Sequence, residues 1–264
     1  YNELRDSHLC SNDIQVLYLN RDMVHHPFPY VHGKLVEVRN ADGTTTPSLT
    51  GGTLEYPVLT GLFAWFTALF VHDDGGYLRL SALLLAPFSF LTVLLLGRMV
   101  RWRALLYALA PPLIWYSFHN WDLLVVCATV AAFHAWWRHR YVAAGVYLSL
   151  GASLKFWPVF FLLPLLLDRW TAKDRRGTAD AAIGFTWVFA IVNGFFLLAS
   201  PKGWYAPYGF QKLRAADIPS NSIWYWGLPD LRTEHPTLIL PVARLTERPP
   251  RRHYALRRAR ARRR

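Results

Sequence analysis

Polar and hydrophobic positions are strongly segregated along the chain. Residues 1–53 are polar, carry turn signals at Pro27, Pro29, Asp42-Gly43 and Gly51-Gly52, and hold no apolar run long enough to cross a membrane. From Pro57 onward apolar stretches follow one another at 57–71, 78–96, 104–118, 121–137, 141–167 and 181–199. A spanning helix needs about 20 predominantly apolar residues with its charges at the flanks, and residues 78–96 and 181–199 meet that requirement best. The pattern predicts an all-α fold, a polytopic transmembrane helix bundle with an extracytoplasmic first loop and an interfacial helix. No internal repeat interrupts it.

The loops between these stretches carry the orientation. Arg98, Arg101 and Arg103, then Arg138 and Arg140, then Arg169, Lys173, Arg175 and Arg176 mark three cytoplasmic loops. Residues 72–77 with Asp73 and Asp74, His119-Asn120, and residues 200–225 then lie outside. Parity makes 57–71, with Trp65 and several Phe, a helix lying in the interface, so that the N-terminal region stays outside. It also makes 141–167 a hairpin, because basic clusters flank it on both sides. Its polar kink at Gly151, Ser153, Lys155 and Pro158 is where two broken helices meet. The resulting division is an extracytoplasmic loop over 1–56, the interfacial helix and its loop over 57–77, and the helical bundle over 78–199. A second extracytoplasmic loop follows over 200–226, then a weakly apolar segment and Arg-rich tail over 227–264.

Composition agrees with a bilayer as solvent: 53% of residues are hydrophobic, with 12 Trp, 13 Tyr and 16 Phe. The net charge of +12 first suggests a nucleic-acid partner. However, ten Arg against one Glu after residue 243 supply most of it, and a terminal Arg run reads as a cytoplasmic, lipid-facing tail. Membrane lipids, not nucleic acid, are the expected surroundings, and the cell membrane, in multi-pass form, the expected location. The low complexity of the tail also fits a shifted reading frame or a truncation. The chain begins at Tyr1 with no signal-peptide pattern, so a preceding spanning helix is expected to be missing. Cys10 falls in a polar loop and Cys127 in an apolar helix, and no disulfide between them is expected.

Few residues have chemistry to offer, and each has a plainer alternative. Asp13 lies early in the outside loop, where a carboxylate can serve as the base that inverting sugar transfer from a lipid phosphate requires; a solvated or helix-capping Asp is the alternative. Lys155 sits inside an apolar hairpin, so it needs an anion or a water-filled cavity. The phosphate of a polyprenyl phosphate sugar suits it, and a lysine snorkelling to the interface is the alternative. Asp122 starts a helix after His119-Asn120-Trp121. It reads either as a helix-terminal acid or, with His119 and Asn120, as the lining of a cavity contacting sugar hydroxyls. Arg214, beside Trp204, Tyr205 and Tyr208, is a second candidate phosphate contact or an interfacial cation. No dinucleotide fingerprint, Walker loop, nucleophile elbow or HExxH is present, and neither a metal nor a cofactor is expected.

Several segments together carry a family likeness: SNDIQVLY with PFPY downstream, LEYPVLTGLFAW, FHNWDLLVV, GASLKFWPVFFLLPLLL and NSIWYW. On these the chain resembles the membrane glycosyltransferases of the GT-C superfamily, most closely the actinobacterial proteins of glycosyltransferase family 87. The resemblance implies a polyprenyl phosphate donor, mannose as the expected sugar, and a glycolipid or glycan acceptor. It also implies a catalytic acid in the first outside loop, which falls on Asp13, and puts Glu55 and Tyr56 in the cavity wall. Family members carry a first spanning helix and several helices beyond Trp226, so the chain is expected to be truncated. A non-catalytic lipid-linked sugar flippase or small transporter is the competing expectation, favoured by ionisable residues along a transmembrane path; among the apolar segments only Lys155 is of that kind.

Overall fold

A computed structural model describes residues 12–39 and 45–213. A short helix, α1 (Asp13–Asn20), is followed by a 3-10 turn at Met23–His25 and a two-stranded antiparallel sheet of β1 (Lys34–Arg39) and β2 (Thr45–Thr50), in register Lys34 to Thr50 and Arg39 to Thr45. After α2 (Val58–Ala68) come α3 (Asp74–Val100), a 3-10 turn at Arg101–Ala104, α4 (Leu105–Ala108) and α5 (Pro111–Tyr116). Then follow α6 (Asp122–Trp137), α7 (Tyr141–Leu154), a 3-10 turn at Trp157–Phe161, α8 (Leu162–Thr171), α9 (Arg175–Ala199) and α10 (Pro201–Leu213). Helices dominate the described residues; apart from the connecting loops there is only the two-stranded sheet, which the all-α expectation did not contain. Residues 35–38 alternate only weakly, and the sheet covers one face of α10, which supplies its apolar partner.

Among the described residues two stretches are long and apolar enough to cross a membrane: Asp74–Ala108, whose helix α3 ends where Arg101 turns the chain (φ 57°), and Arg175–Ala199. Local chemistry starts each. Asp73 accepts from Gly76 N at 2.8 Å and Asp174 from Gly177 N at 2.8 Å, each satisfying one backbone donor that a helix start leaves unpaired. Their most apolar windows are only 22% and 28% buried, with Leu83, Phe90, Ile183, Trp187 and Leu198 exposed. A core helix of a water-soluble domain would hide such residues, so the outward apolar faces accord with membrane association.

Helices α3, α6, α7 and α9 form a row in which each packs on the next. The α7–α9 contact is closest because Gly145 and Gly184 face the partner backbone: a Cβ on Gly145 would overlap the Ala181 carbonyl oxygen, and one on Gly184 the Val142 carbonyl oxygen. Small residues that let backbones touch are the usual adhesive where lipid removes the hydrophobic drive between helices. Buried Asn193 on α9 adds a polar tie, donating to Ser153 Oγ at 3.0 Å while its Oδ1 accepts from Trp204 Nε1 at 3.1 Å.

The 141–167 stretch doubles back, as its polar kink suggests. Lys155 is extended (φ −152°, ψ 144°), and Arg169 at the end of α8 returns to donate to Tyr141 OH, at the start of α7, at 3.1 Å. Pro158 explains the break, since it has no N–H for the Leu154 carbonyl; Thr60 Oγ1 from α2 donates to that carbonyl instead, at 2.6 Å. The 104–118 stretch, by contrast, is no continuous helix. It divides into α4 and α5 around Ala110, because Pro111 and Pro112 supply no amide hydrogens.

Contacts sort the bundle into two ends. At one, Arg98, Arg138 and Arg140 line a common cavity, Arg169 lies over the Trp136 and Tyr141 rings, and Arg175 over Trp170. At the other are α1, the starts of α3 and α6, the end of α7, and α10 with the sheet. Since α3 and α6 both start at this second end, residues 101–121 climb back along the bundle between them.

Candidate active site

The site is assembled at the end away from the arginines, where four chain segments meet. The first is the start of α1. Asn12 caps it, its Oδ1 accepting from Ile14 N (3.0 Å) and Gln15 N (3.3 Å). The same side chain donates to the Phe118 carbonyl at 2.9 Å, and Asp13 N donates to the His119 carbonyl at 3.0 Å. This small backbone clasp docks α1 onto the residues preceding α6. It leaves Asp13 Oδ1 3.7 Å from His119 Nε2, with the carboxylate partly exposed and the imidazole largely buried. Asp13 is thus a first-turn helix residue as well as a candidate base.

The second segment is the start of α6. Asn120 Oδ1 accepts from Asp122 N at 2.9 Å, so Asn120 takes the turn-forming role that otherwise falls to Asp122. The Asp122 carboxylate is thereby turned toward the third segment, the break after α7, where Lys155 Nζ donates to Asp122 Oδ1 at 2.6 Å. Lys155 therefore has its anion within the chain. The pair is accessible, its side chains 30% and 43% exposed. A charge-assisted contact in that setting stabilises the fold by at most about 1 kcal/mol.

The fourth segment is Glu55-Tyr56. Lys155 Nζ lies 5.5 Å from the centre of the Tyr56 ring, which packs edge-on against Trp121 at 5.6 Å. Trp121 is nearly fully buried, and its Nε1 has no hydrogen-bond partner among the described residues. The Tyr56-Pro57 backbone is pinned by Tyr30, whose hydroxyl donates toward the carbonyls of Tyr56 (2.8 Å) and Pro57 (3.0 Å). Burial, then the neighbouring Tyr208, pushes the Tyr30 phenol far above its usual pKa, so it stays a donor. Only glycine fits at position 61, where any Cβ would run into the Tyr30 ring. Glu55 points the other way, into a nearly buried ion pair with Arg21 at 2.5 Å. Helix α10 closes over it: Gln211 Nε2 donates to the Glu55 carbonyl at 3.2 Å, and Phe210 stacks beneath the Arg21 guanidinium at 5.5 Å.

The structure thus brings Asp13, His119, Asn120, Asp122, Lys155, Glu55 and Tyr56 to one end of the bundle; Arg214 and Cys10 lie outside the described residues, and Cys127 is a free buried thiol. Sequence reasoning missed Arg21, Trp121 and Tyr30. Tyr30 is the last residue of the PFPY segment, and a buried role for it is the signal that segment offered. Nothing local marks Arg21 as the partner of Glu55, 34 residues away. Among the described residues no cluster of three His, Cys, Asp or Glu could hold a metal ion. Electrostatically the end can hold an anion beside Lys155 and accept a proton at Asp13 or Asp122.

The family model of glycosyltransferase family 87 matches residues 54–231, more than half of the chain. The match includes Glu55, Tyr56, His119, Asn120, Asp122, Lys155 and Arg214, while Asp13 precedes it. No curated protein and no solved structure matches the chain.

Proposed function

The chain belongs to glycosyltransferase family 87, and from that premise we propose that it moves one sugar, mannose first among candidates, from a polyprenyl phosphate to a hydroxyl of a glycolipid or glycan at the outer membrane face. Membership implies the lipid-linked donor and the acceptor class. The outer face follows from the arginine-rich end being cytoplasmic under the positive-inside rule, in a multi-pass arrangement.

The observation that carries the residue roles is the clasp of α1 on residues 118–119. It puts the Asp13 carboxylate beside His119, three residues ahead of the Asp122 that holds Lys155. In the proposed reaction the acceptor oxygen attacks the anomeric carbon as the bond from that carbon to the phosphate oxygen breaks. The electron pair leaves with polyprenyl phosphate, and Asp13 takes the acceptor proton. Configuration inverts because attack and departure lie on opposite faces. His119 is a positioning residue that orients Asp13. Lys155 neutralises the departing phosphate, with Asp122 holding the ammonium in place until the phosphate arrives as its second anion. Tyr56, backed by the buried Trp121, offers an aromatic surface suited to a sugar face. Arg214 remains a second candidate phosphate contact.

Membranes carrying the full chain are to be incubated with labelled polyprenyl phosphate mannose. Asp13→Asn is expected to lower transfer about 10³-fold, within the range of removing a general base, with membrane insertion unchanged. Wild-type transfer by that variant would remove Asp13 from the base role.

A further inference from the structure

The basic end holds a feature that orientation alone does not require. Arg98 at the end of α3, Arg138 just after α6 and Arg140 just before α7 converge on one cavity of about 450 Å³, together with His134, Trp137 and Tyr147. No carboxylate lines it, and among the described residues none of the three guanidiniums has an ion-pair or side-chain hydrogen-bond partner. Arg169, at the same end, behaves differently: it is paired with Asp168 at 2.9 Å and with Tyr141 at 3.1 Å. The positive-inside rule accounts for arginines in these loops, but it is satisfied equally by arginines splayed into water. Here the three exposed guanidiniums line one cavity with no carboxylate among its walls, so water screens their mutual repulsion and an anion seated there would relieve what remains.

The anion's chemistry follows from the walls. A guanidinium fork matches phosphate oxygens in pairs, and three forks around one recess suit a single phosphate group. Trp137 and Tyr147 at the cavity, and Val142 beside it, are exposed apolar or amphipathic side chains of the kind that meets the headgroup and acyl region of a bilayer. Soluble phosphate has no use for that apolar surround. We propose that the cavity formed by Arg98, Arg138 and Arg140 binds the phosphate headgroup of an anionic phospholipid from the leaflet at the basic end, pinning the α3, α6 and α7 ends together. The proposal needs the chain to lie in a bilayer but does not depend on sugar transfer.

The test uses the full chain in neutral detergent, with lipid adducts counted by native mass spectrometry during titration with dioctanoyl phosphatidylglycerol, dioctanoyl phosphatidylcholine or inorganic phosphate. Saturable binding of one phosphatidylglycerol is expected, with R98Q/R138Q/R140Q weakening it about tenfold or more. R98K/R138K/R140K, which keeps the charge but loses the forks, is expected to weaken it severalfold. K34Q/R39Q/K202Q, an equal charge change at exposed positions of the opposite end, is expected to bind as wild type. Should the triple glutamine variant fail to fold, R138Q alone is expected to weaken binding about threefold or more. Equal binding of phosphatidylcholine, saturation by inorganic phosphate at the same concentrations, undiminished binding by the arginine variants, or equal weakening in the opposite-end control would each overturn the proposal.

Discussion

Two ion pairs stand at the same end of the bundle and differ in one respect, access to water. Arg21 and Glu55 are almost buried, 13% and 14% exposed, and are sealed by Phe210 and Gln211 of α10. Lys155 and Asp122 are 30% and 43% exposed and border an aromatic wall. A buried pair is costly to break, because the surviving charge has lost both its partner and its water, whereas an accessible pair can trade partners at small cost. The first therefore reads as a fastener holding α10 against the entrance to α2, and the second as a pair open to a substrate anion. Charge type and location in the sequence are the same kind of information in both cases; burial separates their roles.

Substitutions that break the two pairs should dissociate stability from activity. The largest effect is expected for Lys155→Met, which is to lower sugar transfer about 10²- to 10³-fold, as for loss of a charge-stabilising group, while changing unfolding stability by no more than about 1 kcal/mol. Donor titrations and denaturant unfolding in detergent measure the two; a stable variant with normal turnover would sink the distinction. Next is Glu55→Gln, expected to destabilise by about 3–5 kcal/mol through the stranded Arg21, with transfer per folded molecule retained at low temperature. Gly145→Val should follow, costing about 1–3 kcal/mol by forcing α7 from α9, as seen in the unfolding midpoint. Smallest is Asn120→Ala, which removes the turn bond to Asp122 N at a cost of about 1 kcal/mol; its sharper reading is a rise in donor KM if Asp122 no longer holds Lys155 in place.

Much of the candidate site was legible because its residues violate the local pattern. Lys155 in an apolar stretch called for an anion or a water-filled cavity, with snorkelling to the interface as the alternative; in the structure it meets an anion, Asp122, a residue flagged only as a helix start or cavity lining. The break at Lys155 was legible for a similar reason, since Pro158 cannot serve the Leu154 carbonyl. The partner that does serve it, Thr60, was not, because that bond joins residues 94 apart. The hairpin of β1 and β2 escaped because its stability depends on α10 packing over it, and the division of 104–118 because its apolar composition hid the two consecutive prolines.

From the amino-acid order alone came the succession of apolar stretches, the sorting of arginines into alternate loops, and the family likeness; all rest on local solvation preferences that a residue carries wherever it is placed. Only the tertiary structure decided that Asn120 rather than Asp122 makes the turn before α6, that Asp122 is thereby released to Lys155, and that Glu55 is consumed by Arg21. Those outcomes depend on which of several competing partners comes within about 3 Å and how much water is left around it, and neither quantity is a property of any residue by itself.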